Sequence, residues 1–261
     1  NLVHKYPDRA LLLVSNQCAM YCRFCTRKRK VGKAAMQISE ETLAAGMHYL
    51  RETPTIREVL LSGGDPLLLS DQQLEDILQR LRAIKHIEVI RIGSRAPCTL
   101  PMRITPELVA MLRKYHPLYL NTHFNHPAEI TRQATQACCL LADAGIPLGC
   151  QTVLLRGVND CPEIMRELMC RLLKIRVRPY YLMQADLTRG TSHFRTDIQT
   201  GLKIMKSLIG TVSGMAVPTY VLDAPKGRGK IPLTPDYITS HNDDSLEFIN
   251  YQGLPCSYPL N

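Results

Sequence analysis

Apolar residues along this chain recur in two rhythms that alternate from end to end. Short runs rich in leucine, isoleucine and valine predict strands at Ala10–Ser15, Glu58–Gly63, Val89–Ser94, Leu118–Phe124, Pro147–Leu155 and Arg178–Gln184. Between them, apolar positions three or four residues apart predict helices at Ser39–Arg51, Asp71–Ala83, Thr105–Tyr115, Pro127–Ala144, Cys161–Lys174 and Thr196–Leu208. Several begin on helix-start chemistry: Ser39 ahead of Glu40 and Glu41, Ser70 ahead of Asp71, Thr105 ahead of Pro106. Successive strand–helix units predict an α/β fold around a parallel sheet. No low-complexity linker divides residues 1–261, so a single core domain is expected. Period alone leaves a barrel and an open doubly wound sheet both open.

Chemistry-bearing residues gather where those strands end. Cysteines follow the first, Ser62-Gly63-Gly64-Asp65 the second and Ser94-Arg95 the third; Asn121, His123 and Asn125 close the fourth. Gln151 lies in the fifth, and Gln184 with Asp186 closes the sixth. Parallel α/β sheets and barrels place their chemistry at strand C-termini, so one composite site is expected.

Composition narrows the setting. With 45% hydrophobic and 21% charged residues the chain can bury a sizeable core, and no run approaches the roughly 18 apolar residues of a membrane span. A formal charge of +9 invites a nucleic-acid reading. The basic residues are dispersed, however, with Arg27-Lys28-Arg29-Lys30 the one dense run, and the absence of tryptophan leaves few stacking platforms. Anionic small molecules account for the excess as readily; a nucleic-acid-binding iron–sulfur protein is the rival from another class. Ten cysteines in a chain whose opening resembles no signal peptide predict reduced thiols and a cytoplasmic setting. The start at Asn1, without an initiator methionine, suggests a fragment or processed product.

Cys18, Cys22 and Cys25 have the spacing Cys-x3-Cys-x2-Cys. Three thiolates can hold three irons of a [4Fe–4S] cubane and leave the fourth iron open to an exogenous ligand. Structural zinc usually takes four ligands, and no nearby cysteine or histidine obviously supplies the fourth. The spacing resembles that of the radical S-adenosylmethionine superfamily. Membership implies S-adenosyl-L-methionine chelated to the open iron and cleaved to a 5′-deoxyadenosyl radical by an electron donor such as flavodoxin or ferredoxin. Ser62, Gly63, Gly64 and Asp65 match the superfamily's glycine-rich element, which contacts the methionyl amino group; glycines let backbone approach a ligand closely.

Longer strings carry a closer resemblance: Tyr6-Pro7-Asp8-Arg9, Arg91-Ile92-Gly93-Ser94-Arg95, Asn121-Thr122-His123-Phe124-Asn125-His126-Pro127, Leu155-Arg156-Gly157-Val158-Asn159-Asp160 and Asp223-Ala224-Pro225. In order along essentially the entire chain, they resemble the lysine 2,3-aminomutase family. The resemblance implies a partial (β/α)6 barrel, a pyridoxal 5′-phosphate cofactor, an amino-acid substrate and a homo-oligomer. Residues 217–261 are then the cofactor-lysine loop and a C-terminal tail, without the terminal extensions of relatives.

A lysine that exchanges its bond to a cofactor aldehyde needs mobility, and the run Asp223-Ala-Pro-Lys-Gly-Arg-Gly-Lys230 supplies a glycine-containing loop. The family pattern selects Lys230 over Lys226. Arg27, directly beyond Cys25 and Thr26, suits a bidentate grip on an α-carboxylate. By resemblance Asp186 and Asp223 face the substrate's far end, where two carboxylates would hold an ammonium and repel a glutamate side chain. That favours lysine; arginine, and lysine isomerisation serving modification of a translation elongation factor, stay open. By resemblance, too, Lys5, Tyr6 and Arg9 hold pyridoxal phosphate, and His123 and Gln151 lie near S-adenosylmethionine. Cys161 matches a zinc ligand of some relatives, whose partner cysteines come from a C-terminal segment of a neighbouring subunit; without that segment a free thiol is expected.

Overall fold

The computed structural model describes residues 1–34 and 37–260, the side chain of Lys226 apart. Among the described residues, nine strands form one sheet in strict chain order: β1 (Leu2–Tyr6), β2 (Arg9–Ser15), β3 (Glu58–Gly63), β4 (Val89–Gly93), β5 (Leu118–Thr122), β6 (Leu148–Leu154), β7 (Val177–Gln184), β8 (Thr219–Asp223) and β9 (Lys230–Pro232). Strands β2 to β8 run parallel, while β1 and β9 pair antiparallel at the two edges. Helices α1 (Glu40–Arg51), α2 (Asp71–Arg82), α3 (Ala96–Thr99), α4 (Pro106–Arg113), α5 (Arg132–Asp143), α6 (Pro162–Lys174) and α7 (Ile198–Leu208) return the chain between them. A doubly wound sheet reverses its strand order at a switch point. This one never does, so the architecture is a partial (β/α)6 barrel, with β8 following the sixth unit.

Burial along the strands shows where the core sits. In β6, Leu148, Cys150, Thr152 and Leu154 are buried while Gly149, Gln151 and Val153 are only half-buried. In β4, Ile90 and Ile92 are buried and Arg91 is not. The buried faces join one cluster with helix stripes such as Leu74, Ile77, Leu78 and Leu81 of α2, each worth about 1.5–3 kcal/mol of apolar burial. The core therefore lies between sheet and helices. The less buried inner face, with Leu60, Arg91, Gln151 and Val153, surrounds a cavity.

Helix starts follow the expected chemistry: Ser39, Ser70 and Thr105 accept from the backbone N–H of Thr42, Gln73 and Leu108. Each such cap is worth about 0.5–2 kcal/mol. The helix expected at Pro127–Ala144 is two pieces, a 3₁₀ turn at Pro127–Glu129 and then α5, because the Thr131 hydroxyl captures Ala134 N–H and starts a new helix. The strand expected to reach Phe124 ends at Thr122. Beyond β9 the expected tail is a separate antiparallel sheet of β10 (Ile238–His241), β11 (Ser245–Ile249) and β12 (Pro255–Pro259). Among the described residues no helix is long and apolar enough to cross a membrane.

One bond to a side chain links the sheet's two edge strands. Lys230 N–H of β9 donates to Tyr6 Oη of β1 at 3.1 Å, bonding the barrel's seam between residues 224 positions apart.

Candidate active site

The inner face encloses a cavity of about 580 Å³, in the roughly 300–1,000 Å³ range of small-molecule sites. The residues assigned a role from the sequence line it, except Ser62, which Arg27 hydrogen-bonds, and Cys161; of the other polar strand-end residues Arg95 and Gln184 line it, while Ser94, Asn121 and Asn125 do not. Cys161 stands at the N-cap of α6 and makes no side-chain cap bond.

The cysteine loop is held by backbone. Gly64 and Asp65 N–H donate to Ser15 and Gln17 carbonyls at 2.7 and 2.6 Å, just ahead of Cys18. A Cβ on Gly63 would stand 2.0 Å from Ser15 O, one on Gly64 2.1 Å from Gln17 O, and Gly63 has φ of +135°. The glycines expected to admit a ligand thus first admit the protein's own chain. Asp65 differs from expectation in the same way: Oδ1 accepts from Leu67 N–H and Ser94 Oγ, and Oδ2 from Arg95 N–H. Its carboxylate braces the loops after β3 and β4.

Among the described residues no three His, Cys, Asp or Glu side chains are already gathered as a metal site, Cys18, Cys22 and Cys25 included. Their donor chemistry still fits an iron–sulfur cluster, since three free thiols on one loop line one cavity. Burial first, then Asp65 and the other two thiols, push Cys18 up to about 11. A neutral thiol of this kind gives up its proton to a metal cation. Beside it, Arg27 Nη1 donates to Ser62 Oγ at 2.8 Å and Gly63 O at 3.1 Å. Its guanidinium stays cationic although burial lowers its pKa. The His123 ring stacks on Phe24 at 5.4 Å and meets Asn125 Oδ1 through Nε2. Burial, then the charge of Arg95, push it down to about 3, so it is neutral at ordinary pH.

The seam side carries the other charges. Lys230 Nζ donates to Asp223 Oδ2 at 2.6 Å and lies 5.8 Å from the Tyr181 ring centre. Burial and then Asp223 raise the Asp186 pKa, while Lys230 and Lys5 pull it back. Lys5 and Arg9 flank the Tyr6 ring at 5.4 and 4.1 Å. Arg91 pairs with Glu58 yet leaves its buried Nε without a partner. Cations beside a lysine in one cavity fit an anionic aldehyde such as pyridoxal phosphate.

Phe24, Arg91, Glu129 and Tyr181 carry no expectation as site residues, and Arg95 is expected at the composite site without a role. Arg95 carried a signal, a cation directly after a strand end. Glu129 was hidden inside an expected helix, and the register of Tyr181 depends on a bulge between Cys150 and Gln151.

The profile of the Radical SAM superfamily matches residues 12–169 and that of Lysine-2,3-aminomutase residues 205–260. The chain is 55% identical to L-lysine 2,3-aminomutase of Clostridium subterminale, over all of this chain and 63% of the relative. It is 48% identical to glutamate 2,3-aminomutase of Clostridioides difficile, over 97% of this chain and 60% of the relative. A putative L-lysine 2,3-aminomutase of Aquifex aeolicus is 46% identical over 99% of this chain and 70% of its own length. The chain therefore spans about three fifths of the first relatives it matches. In fold it is similar to Streptococcus suis SuiB bound to S-adenosylmethionine, with TM-score 0.61 and 12% identity over 85% of this chain and 52% of that one.

Proposed function

The chain belongs to the lysine 2,3-aminomutase family of the radical S-adenosylmethionine superfamily, and from that premise we propose that it interconverts L-lysine and β-lysine. Cys18, Cys22 and Cys25 would hold the [4Fe–4S] cluster, with the Gly63-Gly64 turn, His123 and Gln151 around S-adenosylmethionine. Lys230 would anchor pyridoxal 5′-phosphate by its aldehyde, with Lys5, Tyr6 and Arg9 about its phosphate. When bound, these cofactors supply a 5′-deoxyadenosyl radical and an electron sink for the migrating amino group. The protein's task is to orient. Arg27 takes the α-carboxylate, and Asp186 and Asp223 take the side-chain ammonium. An outside electron donor such as flavodoxin or ferredoxin completes the system.

One observation carries the substrate reading: Asp186, whose proton affinity is raised by burial and then by the charge of Asp223, lines with Asp223 the same cavity as a guanidinium and three thiols. A cation relieves that repulsion and a glutamate carboxylate adds to it. Arginine is the second reading, because its side chain is cationic too.

The test is product analysis by mass spectrometry after anaerobic reduction with lysine, arginine or glutamate. Lysine should be converted and glutamate left intact. In Asp186→Asn, loss of one partner of a buried charge costs about 2–5 kcal/mol, so lysine turnover efficiency should fall tens to thousands-fold while S-adenosylmethionine cleavage persists. Turnover near that of the parent protein would remove the carboxylates from substrate selection.

A further inference from the structure

Each nitrogen of the Arg95 guanidinium donates to a partner within the protein. Nη2 donates to Glu129 Oε1 at 2.7 Å, Nε to the His123 carbonyl at 3.3 Å, and Nη1 to Cys22 Sγ at 2.8 Å. Its side chain is 14% exposed and its charged carbon lies 5.3 Å from the Phe24 ring centre. Both ends of this link are fixed. Arg95 N–H is held by Asp65 Oδ2, and Glu129 Oε2 accepts from Asn125 N–H at 2.6 Å. One side chain thereby ties the cysteine loop to the ends of β4 and β5.

The contact to sulfur needs explaining. Glu129 already balances the charge of Arg95, and a neutral thiol is a weak acceptor that gives a buried guanidinium little in return. A metal-bound thiolate is anionic, and a charge-assisted bond to it is about twice as strong as a neutral one. The geometry suits the loaded state of Cys22.

On the reading of Cys18, Cys22 and Cys25 as cluster ligands, we propose that Arg95 is a positioning residue that fixes Cys22 and, by setting a cation on its sulfur, raises the reduction potential of the cluster, with Glu129 limiting how much of that charge the sulfur feels. Net charge and hydrogen bonds to sulfur are what set such potentials, and partners behind the ligands orient them. Reduction adds an electron, so a nearby cation favours the reduced form and removing it disfavours reduction.

The experiment compares the reconstituted parent with Arg95→Gln, Arg95→Lys and Glu129→Gln by iron content, electron paramagnetic resonance during redox titration, and iron loss to a chelator. In Arg95→Gln the reduced-to-oxidised ratio at a fixed solution potential should fall about tenfold, which is ~59 mV for a one-electron couple, and iron should be lost several-fold faster. Arg95→Lys should keep most of the potential but not the iron retention, because a lysine cannot bridge Glu129 and Cys22 together. Glu129→Gln should shift the potential upward. A loop that was merely loosened would move Arg95→Gln and Glu129→Gln the same way, and that result overturns the proposal, as does a parental potential in Arg95→Gln. An unchanged potential with weakened S-adenosylmethionine binding would assign Arg95 to the methionyl carboxylate instead. A parent protein that binds no iron would bring down the cluster reading itself, and this inference with it.

Discussion

Lys230 and Asp223 form a 2.6 Å ion pair, yet the proposed function gives them separate tasks. The two fit together if Asp223 holds the Lys230 ammonium before cofactor binding and is released for the substrate once Lys230 is bonded to an aldehyde. Lys230→Ala, incubated with pyridoxal phosphate and borohydride, should give no stable adduct by peptide mapping. An adduct on Lys226, whose side chain lies outside the described residues, would move the assignment. His123 makes a pH prediction. Its folded-state pKa is lowered to about 3 from 6.5, so the unfolded chain takes a proton that the folded one declines. Stability from this source is complete above pH 6.5 and falls toward pH 3, by at most about 1.4 kcal/mol per pH unit. Urea unfolding of cluster-free protein at stepped pH should show a shallower acid loss in His123→Gln; equal slopes would mean the folded ring accepts the proton. Residues such as Cys18, Cys22 and Cys25 are legible in the sequence because their spacing is local. The pairing of Arg95 with Glu129 is not, because 34 positions separate them and only the fold brings them together.

At the scale of elements, legibility follows how local the determining interaction is. The starts of α1, α2 and α4 depend on a hydroxyl three residues away, and the sequence reading finds them. The break before α5 depends on a cap of the same kind at Thr131, but the apolar period runs across it and conceals it. Edge strands β1 and β9 carry weak patterns because exposure relaxes the alternation: residues 3–5 of β1 are all exposed. The turn after β3 was recognised for its glycines, though what it accommodates is the backbone of Ser15 and Gln17. Gly63→Ala tests this. Its φ of +135° is one that L side chains rarely adopt, and the new methyl would overlap Ser15 O. Strain and overpacking each cost about 1–3 kcal/mol. The variant should unfold at distinctly lower urea and retain less iron, because the displaced segment leads into Cys18. Unaltered stability and iron content would mean the two loops are not packed as described.

At the scale of the molecule, the strand order could not be read from period, since barrel and doubly wound sheets share the same alternation of strand and helix. It follows from the strand pairings, whose order never reverses, and one bond to a side chain links the two edge strands. The seam also divides the chemistry: the cysteine loop hangs on β2 and β3, whereas Lys230 sits on β9, across from Tyr6. Loss of the seam bond should therefore affect one half of the site only. Tyr6→Phe keeps the ring between Lys5 and Arg9 but removes the oxygen that accepts Lys230 N–H. An amide left unpaired costs about 1–3 kcal/mol when water cannot replace its partner, and the partial burial of this bond sets the lower end. Hydrogen exchange in β1, β8 and β9 should quicken while β3 to β6 keep their protection, and pyridoxal phosphate should dissociate faster with iron content unchanged. Faster exchange throughout the sheet would mark general destabilisation. Unchanged exchange on both sides of the seam would mean that the two ends of the sheet are held by something other than this bond, and that Lys230 owes its position to the β8–β9 hairpin alone.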